Sequence, residues 1–234
     1  HMARVSQDYY ENKRKEIMDA AYRVCVRKPI TSVAMKDIIE ETGYSHGAIY
    51  KYYKDLDEVI CDLMLRINRQ YSFDDDLKEI ISQYGIDDWQ NAVREICSML
   101  AKHMVHMGTD LVRISLYCSM FAVSEPERFS QISEKIGEES ISPMLKAIST
   151  LKKYLETVIR KCKLRPARSV DEIISFIVTY YSGVEDSYVI SEAGTDSEQT
   201  ADPIPRQLFS VLADALIPML AGIGNEKKQK GVKK

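Results

Sequence analysis

The hydrophobic pattern of the first segment has the period of an α-helix. Its apolar positions share one helical face: Ile17, Ala20, Ala21, Val24 and Cys25. This spacing predicts a helix over residues 8–27. The helix is expected to end near Lys28, because Pro29 disfavours helical geometry in the residue before it.

Three shorter helical patterns follow, and their capping residues set their limits. A helix over residues 34–42 is predicted to close at Gly43, which lacks a Cβ and tolerates a left-handed C-cap. Ser45 is a good N-cap for a third helix over residues 46–52, because its hydroxyl can accept a first-turn amide hydrogen. A fourth helix is predicted to open after Asp55.

Helical periodicity continues through the rest of the sequence, which contains no alternating strand pattern and no internal repeat. The predicted helices are Asp87 or Asp88 to about 106, Thr109 or Asp110 to 124, Glu125-Pro126 to about 163, Ser169 to about 192, and 204–222. Gly137 and the Ser142-Pro143 pair are expected to break the third of these. The polar run 194–203 predicts a loop. The fold class is therefore predicted to be all-α.

Charge is unevenly distributed along the 234 residues. The net charge is −3 overall, but residues 1–54 carry +3 and residues 55–225 carry −10. Residues 226–234 carry +4 and predict a basic, disordered tail. A basic head on an acidic body is typical of a chain whose N-terminal end meets an anion.

Several function classes are disfavoured by what the sequence lacks. Five scattered cysteines without CxxC spacing, and an N-terminus without an apolar signal segment, are typical of a reduced cytoplasmic protein. No run of about 20 uncharged apolar residues predicts a membrane span, so no membrane association is expected. Because the GxSxG, P-loop and GxGxxG motifs are also absent, we expect no enzymatic activity and no cofactor.

Two short helices joined by a tight glycine turn form a helix-turn-helix, whose second helix fits the major groove of DNA. The stretch MKDIIEETGYSHGAIYKYYKDLDEVI resembles the DNA-binding domain of the tetracycline-repressor (TetR) family of bacterial transcription regulators. The matching positions are Ala20, Ala21, Ile38, Gly43, Ser45, Gly47, Ile49, Tyr50, Tyr53 and Val59. The resemblance implies a three-helix DNA-binding domain over 8–54 and a helical ligand-binding and dimerisation domain over 55–225.

Resemblance and side-chain chemistry together assign a DNA-facing set. Its members are Lys36, Ser45, His46, Gly47, Ala48, Tyr50, Lys51, Tyr52 and Lys54. Ser45 and His46 can hydrogen-bond to base edges, and the Ala48 methyl can contact a thymine methyl. The tyrosines and lysines of the set suit phosphates, which position the helix without reading sequence.

Two neighbours of that set, Ile49 and Tyr53, are expected to face the core of the domain because they lie four residues apart. Packing inside the domain is the alternative role for Tyr50 and Tyr52. For His46 the alternative is an exposed side chain without a role.

The sequence departs from the family pattern at three places, one of which is the absence of the usual glycine after the first helix, where Lys28 and Pro29 stand. A threonine pair usually opens the second helix, where Val33 and Ala34 stand here, so a phosphate contact is lost unless Thr31 or Ser32 supplies it. Leu56 stands where a lysine commonly opens the fourth helix. Lys54 is the expected replacement for that phosphate contact.

The acidic body contains aromatic and sulfur-bearing side chains of the kind that line adaptable pockets. The candidate ligand-binding residues are Tyr71, Trp89, Met107, Tyr117, Cys118, Phe121, Met144 and Tyr180. Core packing explains them equally well. The expected effector is a small apolar or aromatic molecule, although Glu185 and Asp186 would favour a cation if they lay inside the pocket.

Two clusters resemble metal sites. His103 and His106 share a helical face at the spacing of a metal pair, but a favourable position near a helix C-terminus explains them more simply. The acidic run Asp74–Asp76 lacks the glycine of a calcium loop and is interpreted as solvated surface. No metal site is therefore predicted.

The last two predicted helices, 169–192 and 204–222, are apolar on more than one face and must be covered on both sides. Pairing with the same helices of a second subunit would form a four-helix bundle. We predict a homodimeric bacterial repressor that binds a palindromic operator in double-stranded DNA and is released by a small-molecule ligand. A regulator without such an effector, responding to a protein partner or acting as an activator, and a helical enzyme are the alternatives.

Overall fold

The computed structural model describes residues 7–137, 143–193 and 203–222. These residues form ten α-helices, one 3₁₀ turn and no strand, which confirms the predicted all-α class. The helices are α1 (Gln7–Arg27), α2 (Met35–Thr42), α3 (His46–Ile49), α4 (Leu56–Gln70), α5 (Asp74–Tyr84), α6 (Trp89–Ser124), α7 (Pro126–Ile136), α8 (Pro143–Cys162), α9 (Val170–Ala193) and α10 (Pro203–Ala221). The predicted tail, and all but the last residue of the predicted loop 194–203, lie outside the described residues.

The capping residues act as the sequence predicts. Gly43 ends α2 in the left-handed region at φ 67°, and the Ser45 hydroxyl accepts a hydrogen bond from the Ala48 amide at 3.3 Å. The Ser169 hydroxyl accepts from the Glu172 amide, and the Glu172 carboxylate accepts from the Ser169 amide in return. This reciprocal pair closes the first turn of α9.

Two helices differ from the prediction. α3 ends at Ile49, and the Tyr52 amide then bonds to the Ile49 carbonyl at 2.9 Å, so the predicted helix over 46–52 finishes as a tighter turn. α5 was not predicted, and it begins in the acidic run. Asp75 is solvated as expected, but Asp74 accepts a hydrogen bond from Thr150 at 2.6 Å.

Gly108 interrupts α6 with φ 75° and ψ 162°, which are not helical angles. The sequence predicts two helices on either side of this point, ending near 106 and beginning at 109 or 110. The structure confirms this break, so α6 consists of two helical parts that meet at Gly108.

The described residues form two compact units. The first unit contains residues 7–70 and 110–137, and the second contains 71–109, 143–193 and 203–222. The chain therefore passes from the first unit to the second at the end of α4, and it returns to the first unit beside Gly108 in α6. The functional division at residue 54 is not tested by this grouping and stays a prediction.

In the first unit, one arginine fastens α7 to α4. The Arg128 guanidinium donates to Asp57 at 2.8 Å and lies 5.3 Å from the centroid of the Phe121 ring. Phe121 is fully buried and meets Phe129 edge-on at 5.8 Å. The ion pair thus joins α7 to α4, and the aromatic pair joins α7 to the end of α6.

All five cysteines are free. Burial raises the pKa of the Cys25, Cys97 and Cys118 thiols to about 12. These three side chains are therefore neutral packing groups at physiological pH and poor nucleophiles.

In the second unit, α8, α9 and α10 pack through apolar side chains. The enclosed apolar cavity at this core measures about 20 Å³, between α6, α8, α9 and α10. That volume holds about one water molecule. The Tyr180 hydroxyl donates to the Leu208 carbonyl at 2.7 Å and ties α9 to α10.

α10 has more apolar side chains than the rest of the described chain buries. By length and composition alone it is the one described helix that could cross a membrane, and a third of that window is buried. Val211 on α10 is 57% exposed, and Ile190 on α9 is 69% exposed. Both helices therefore leave large apolar side chains unburied, as their sequence pattern predicts.

Glu185 on α9 is the one charged residue that is buried among those described, with 8% of its surface exposed. The Tyr71 hydroxyl donates a hydrogen bond to its carboxylate at 2.8 Å. Burial raises the pKa of Glu185 to about 7, although the Tyr71 hydrogen bond acts in the opposite direction. The second unit therefore contains a carboxyl group that is close to half-ionised at neutral pH.

Substituting Gly43 by alanine should lower the free energy of unfolding by about 1 kcal/mol, because only glycine adopts φ 67° without strain. A Cβ there would meet no atom within 4 Å, so strain is the sole cost. Gly47→Ala is the matched control, since Gly47 lies in α3 without a positive φ. Chemical denaturation should show no loss for the control; equal losses would contradict this explanation.

Glu185→Gln should remove a pH dependence of stability. The carboxyl is protonated in both states below its ordinary pKa of 4.5 and ionised in both above about 7. Between these values the folded chain holds the proton more tightly, so wild-type stability falls as pH rises, by roughly 3 kcal/mol in total. Denaturation from pH 4 to pH 8 should show that the free energy of unfolding of the variant rises relative to that of the wild type as the pH increases. If the difference in unfolding free energy between variant and wild type stays the same across this range, the raised pKa of Glu185 is contradicted. Asp186→Asn serves as the control, because Asp186 is exposed.

Candidate nucleic-acid interface

Ion pairs hold α2 against α1 in the first unit. The Glu41 carboxylate accepts hydrogen bonds from Arg23 at 2.6 Å and from Arg27, and these hydrogen bonds lower the pKa of Glu41. At the other end of α2, Asp37 accepts from Lys28 and from the Ala34 amide, both at 2.7 Å. The position of α2 is thus set at both ends.

A buried polar network fixes the segment that follows α3. Ile49 and Tyr53 are fully buried, as the sequence predicts. The Tyr53 hydroxyl donates to Asp62 at 2.9 Å, and the Arg14 guanidinium pairs with the same carboxylate while lying 4.3 Å from the Tyr53 ring centroid. Burial, and then the Asp62 charge, raise the pKa of Tyr53. α1, α4 and the end of α3 therefore meet at one side chain.

The start of α3 is anchored by Tyr44. Lys13 donates to the Tyr44 hydroxyl at 2.7 Å, and that hydroxyl donates to Glu16. Both partners belong to α1, so the turn before Ser45 is held by the same helix that supports Tyr53.

The opposite side of α3 faces outward. Ser45, His46 and Gly47 are exposed, and Tyr50 is 43% exposed. The His46 and Tyr50 rings stack with centroids 4.6 Å apart and an angle of 30° between them. The stacked pair presents a flat, polar-edged surface whose geometry is restricted before any ligand binds.

Three lysines of the first unit are exposed and form no ion pair among the described residues. Lys36, Lys51 and Lys54 are exposed, and no ion pair involves them in the part of the chain that the structure describes. Lys13 and Lys28, by contrast, are paired with carboxylates. Free lysines around a short exposed helix suit the phosphates that flank a major groove.

Comparison with known proteins agrees with this geometry. Residues 17–60 match the sequence profile of the bacterial regulatory proteins, tetR family. Residues 17–60, which include α2 and α3, are thus similar to the regulatory proteins of this family. A curated relative, the uncharacterised HTH-type transcriptional regulator YfiR of Bacillus subtilis (strain 168), is 27% identical over 110 residues, or 42% of this chain and 51% of the relative. The match therefore spans about half the length of that protein.

Solved structures of regulators share the fold over most of the chain. MbdR from Azoarcus sp. CIB is 17% identical with a TM-score of 0.62, over 86% of this chain and 96% of its own. KstR2 of Mycobacterium tuberculosis is 16% identical with a TM-score of 0.56, and the match covers 87% of this chain and 94% of KstR2. FadR from Bacillus subtilis, in complex with stearoyl-CoA, is 14% identical with a TM-score of 0.54, and the match covers 85% of this chain and 97% of FadR. At these identities the likeness concerns the fold alone.

The departures from the TetR pattern have structural answers. Ala34 lacks the hydroxyl of the usual threonine, and Asp37 reaches back to cap the Ala34 amide instead. Val33 is buried, whereas Thr31 and Ser32 are exposed in the 3₁₀ turn Ile30–Ser32. Their hydroxyls are therefore available for the phosphate contact that Val33 cannot make.

Of the predicted DNA-facing residues, Lys36 lies on α2 and the others lie within residues 45–54, where their environments differ. Ala48 and Tyr52 are half-buried, and the Tyr52 ring packs 5.1 Å from Tyr10. Sequence reasoning missed the contributions of Tyr10 and Arg14. The tandem tyrosines of α1, which lie off its buried stripe, were the available signal for the first of them.

The candidate ligand-binding residues are divided between the two units. Tyr117, Cys118 and Phe121 lie in the first unit, and the other five lie in the second: Tyr71, Trp89, Met107, Met144 and Tyr180. No single pocket within one unit can therefore contain them all, and their role stays a prediction. His103 and His106 both line a groove in the second unit, and no group of three metal-ligating side chains occurs among the described residues.

Tyr53→Phe should lower the free energy of unfolding by about 1 kcal/mol, because it removes a buried hydrogen bond to Asp62 and keeps the ring under Arg14. Tyr50→Phe removes an exposed hydroxyl from the same segment and should change stability by less than about 0.5 kcal/mol. Urea denaturation of both variants measures the difference. Equal effects would show that the network around Tyr53 does not support α3.

Proposed function

We propose that the protein is a homodimeric transcriptional repressor that reads a palindromic DNA operator and is released by a small-molecule effector. The observation that carries the DNA-binding part is the contrast between the two sides of α3. Ile49 and Tyr53 are immobilised in the core, while His46, Tyr50 and Lys51 are exposed and poised for DNA. As a DNA-binding regulator it would act in the cytoplasm.

The exposed apolar side chains of α9 and α10 support the dimer. Phe176, Ile190 and Val211 each expose more than a third of their surface. Their burial against a second copy would give about 25 cal/mol per Å² of covered apolar area. Two-fold pairing of this kind predicts half-sites about 34–36 Å apart, or a multiple of that distance.

The names of related structures support an apolar effector. FadR is described in complex with stearoyl-CoA, and KstR2 is described as a ketosteroid transcriptional regulator. Candidate contacts in this chain remain the aromatic and sulfur-bearing residues assigned from the sequence. A ligand that binds one conformation more tightly shifts the protein towards it, by no more than its difference in affinity.

A regulator without a small-molecule effector is the second candidate. It is favoured by the enclosed core cavity of about 20 Å³, which is far below the 300 Å³ or more that is typical of a ligand pocket. Such a protein would respond to a protein partner or act as an activator.

Selection of bound duplexes from a random DNA pool at about 0.15 M salt should recover one palindromic site. Tyr50→Ala and Lys51→Ala should weaken binding to that site and leave dimerisation unchanged. Lys51→Ala should also reduce the slope of log affinity against log salt by about 1, because it removes one phosphate contact.

Lys153→Ala is the matched control, since Lys153 is an exposed lysine of α8 in the acidic second unit. It should change neither DNA affinity nor the salt slope. Equal effects of Lys51→Ala and Lys153→Ala would contradict the proposal that α3 contacts DNA. Recovery of a non-palindromic site would argue against symmetric dimer binding.

A further inference from the structure

The second unit contains a buried polar group that its own chain satisfies incompletely. Tyr181 lies one helical turn before Glu185 on α9 and is 4% exposed. Its hydroxyl has no hydrogen-bond partner among the residues that the structure describes. Burying a hydroxyl without a hydrogen-bond partner lowers the stability of the folded chain. A ligand group that supplies the missing hydrogen bond would therefore bind more tightly.

The surroundings of this hydroxyl are aromatic. The Tyr181 ring lies 5.8 Å from Phe209 and 6.5 Å from Phe73, measured between centroids. Glu185 completes the cluster, with Tyr71 as its hydrogen-bond donor. A single carboxylate among aromatic faces matches the chemistry of organic cations, which pair with the charge and lie against the rings.

A surface groove in the same unit includes His103, whose ring contacts Phe73 of this cluster. It lies between α5 and α6 within the second unit and has a volume of about 520 Å³. Three acidic side chains line it, Asp76, Glu79 and Glu95, against one lysine, Lys102, which pairs with Glu95 at 3.2 Å. A cleft of this composition attracts cations and repels anions.

His103 joins the groove to the cluster. Its ring lines the groove and meets the Phe73 ring edge-on, with centroids 5.5 Å apart. A rotation of this half-buried side chain would open a path from the groove to the aromatic rings.

We propose that Glu185 anchors a binding site for a protonated amine carried on an apolar body, which enters along the groove between α5 and α6. The ammonium group donates one hydrogen bond to Glu185 and a second to the Tyr181 oxygen. The apolar body lies along Phe73 and the groove. The amine takes the place of the Tyr71 hydroxyl at the carboxylate.

The protonation behaviour of the carboxyl agrees with this site. Burial raises the pKa of Glu185 to about 7, so ionising it in the empty site is costly. The groups that face it are the hydroxyls of Tyr71 and Tyr181, with the Asp186 charge nearby. A cation beside Glu185 would supply the opposite charge that none of these groups provides.

Displacement of Tyr71 gives the site a way to act on DNA binding. Tyr71 directly follows Gln70, the last residue of α4, and α4 belongs to the unit that contains α3. This consequence rests on the proposed function, whereas binding of the amine does not.

Calorimetry with three probes of one tail length tests the site: n-octylamine, n-octanol and n-octanoate at pH 7.5, with the full chain and no DNA. The amine should bind at least ten-fold more tightly than the alcohol, and the carboxylate more weakly than both. Glu185→Gln should weaken amine binding at least ten-fold and leave alcohol binding unchanged. Tyr181→Phe should weaken amine binding several-fold while the fold is preserved.

Asp186→Asn is the matched control, because Asp186 is the exposed acidic neighbour of Glu185 on the same helix. It should change amine affinity by less than two-fold. The proposal is overturned if the amine shows no saturable binding, if it binds no better than the alcohol, or if Glu185→Gln and Asp186→Asn behave alike. Failure to select any DNA site would instead overturn the proposed function and leave this result standing.

Discussion

The position of α3 and of its exposed side chains depends on one contact, the convergence of Arg14 and Tyr53 on the Asp62 carboxylate. α3 contains four residues, too few to be helical on their own, because nucleating the first turn costs more than its hydrogen bond returns. Its orientation must therefore come from tertiary contacts. The arginine, the tyrosine ring and the carboxylate supply them from α1 and α4, so an exposed His46 and Tyr50 can be held rigidly by a segment with little stability of its own.

The two units treat buried polar groups in opposite ways. In the first, the Tyr53 hydroxyl and Asp62 satisfy each other, and Arg14 neutralises the charge. In the second, Glu185 has a neutral donor and no cation, and the Tyr181 hydroxyl has no partner among the described residues. A satisfied network rigidifies, whereas an incompletely satisfied one is retained at a cost in stability. The first arrangement suits a fixed recognition surface and the second suits a site that a ligand completes.

Local signals in the sequence were sufficient for the limits of most helices and for the DNA-facing segment. Gly43, Ser45 and Gly108 act through their own backbone angles or side chains, so they can be interpreted without the fold. The early end of α3 and the pairing of Asp37 with Lys28 depend on chain geometry, and the pairing of Asp74 with Thr150 depends on a residue distant in sequence. The candidate ligand-binding residues are divided between the two units for a related reason: aromatic composition indicates burial but does not say which unit a residue joins.

Glu185 shows how far a pattern can be taken. From the sequence, Glu185 and Asp186 are equivalent acidic neighbours in an apolar helix. Helical geometry separates them by about 100°, which buries the first against Tyr71 and leaves the second in solvent. The chemical consequence is large, because the buried carboxyl needs either a proton or a cation and the exposed one needs neither. Tyr71, which supplies its hydrogen bond, is also the first residue after α4, so one side chain links the buried carboxyl to the end of that helix.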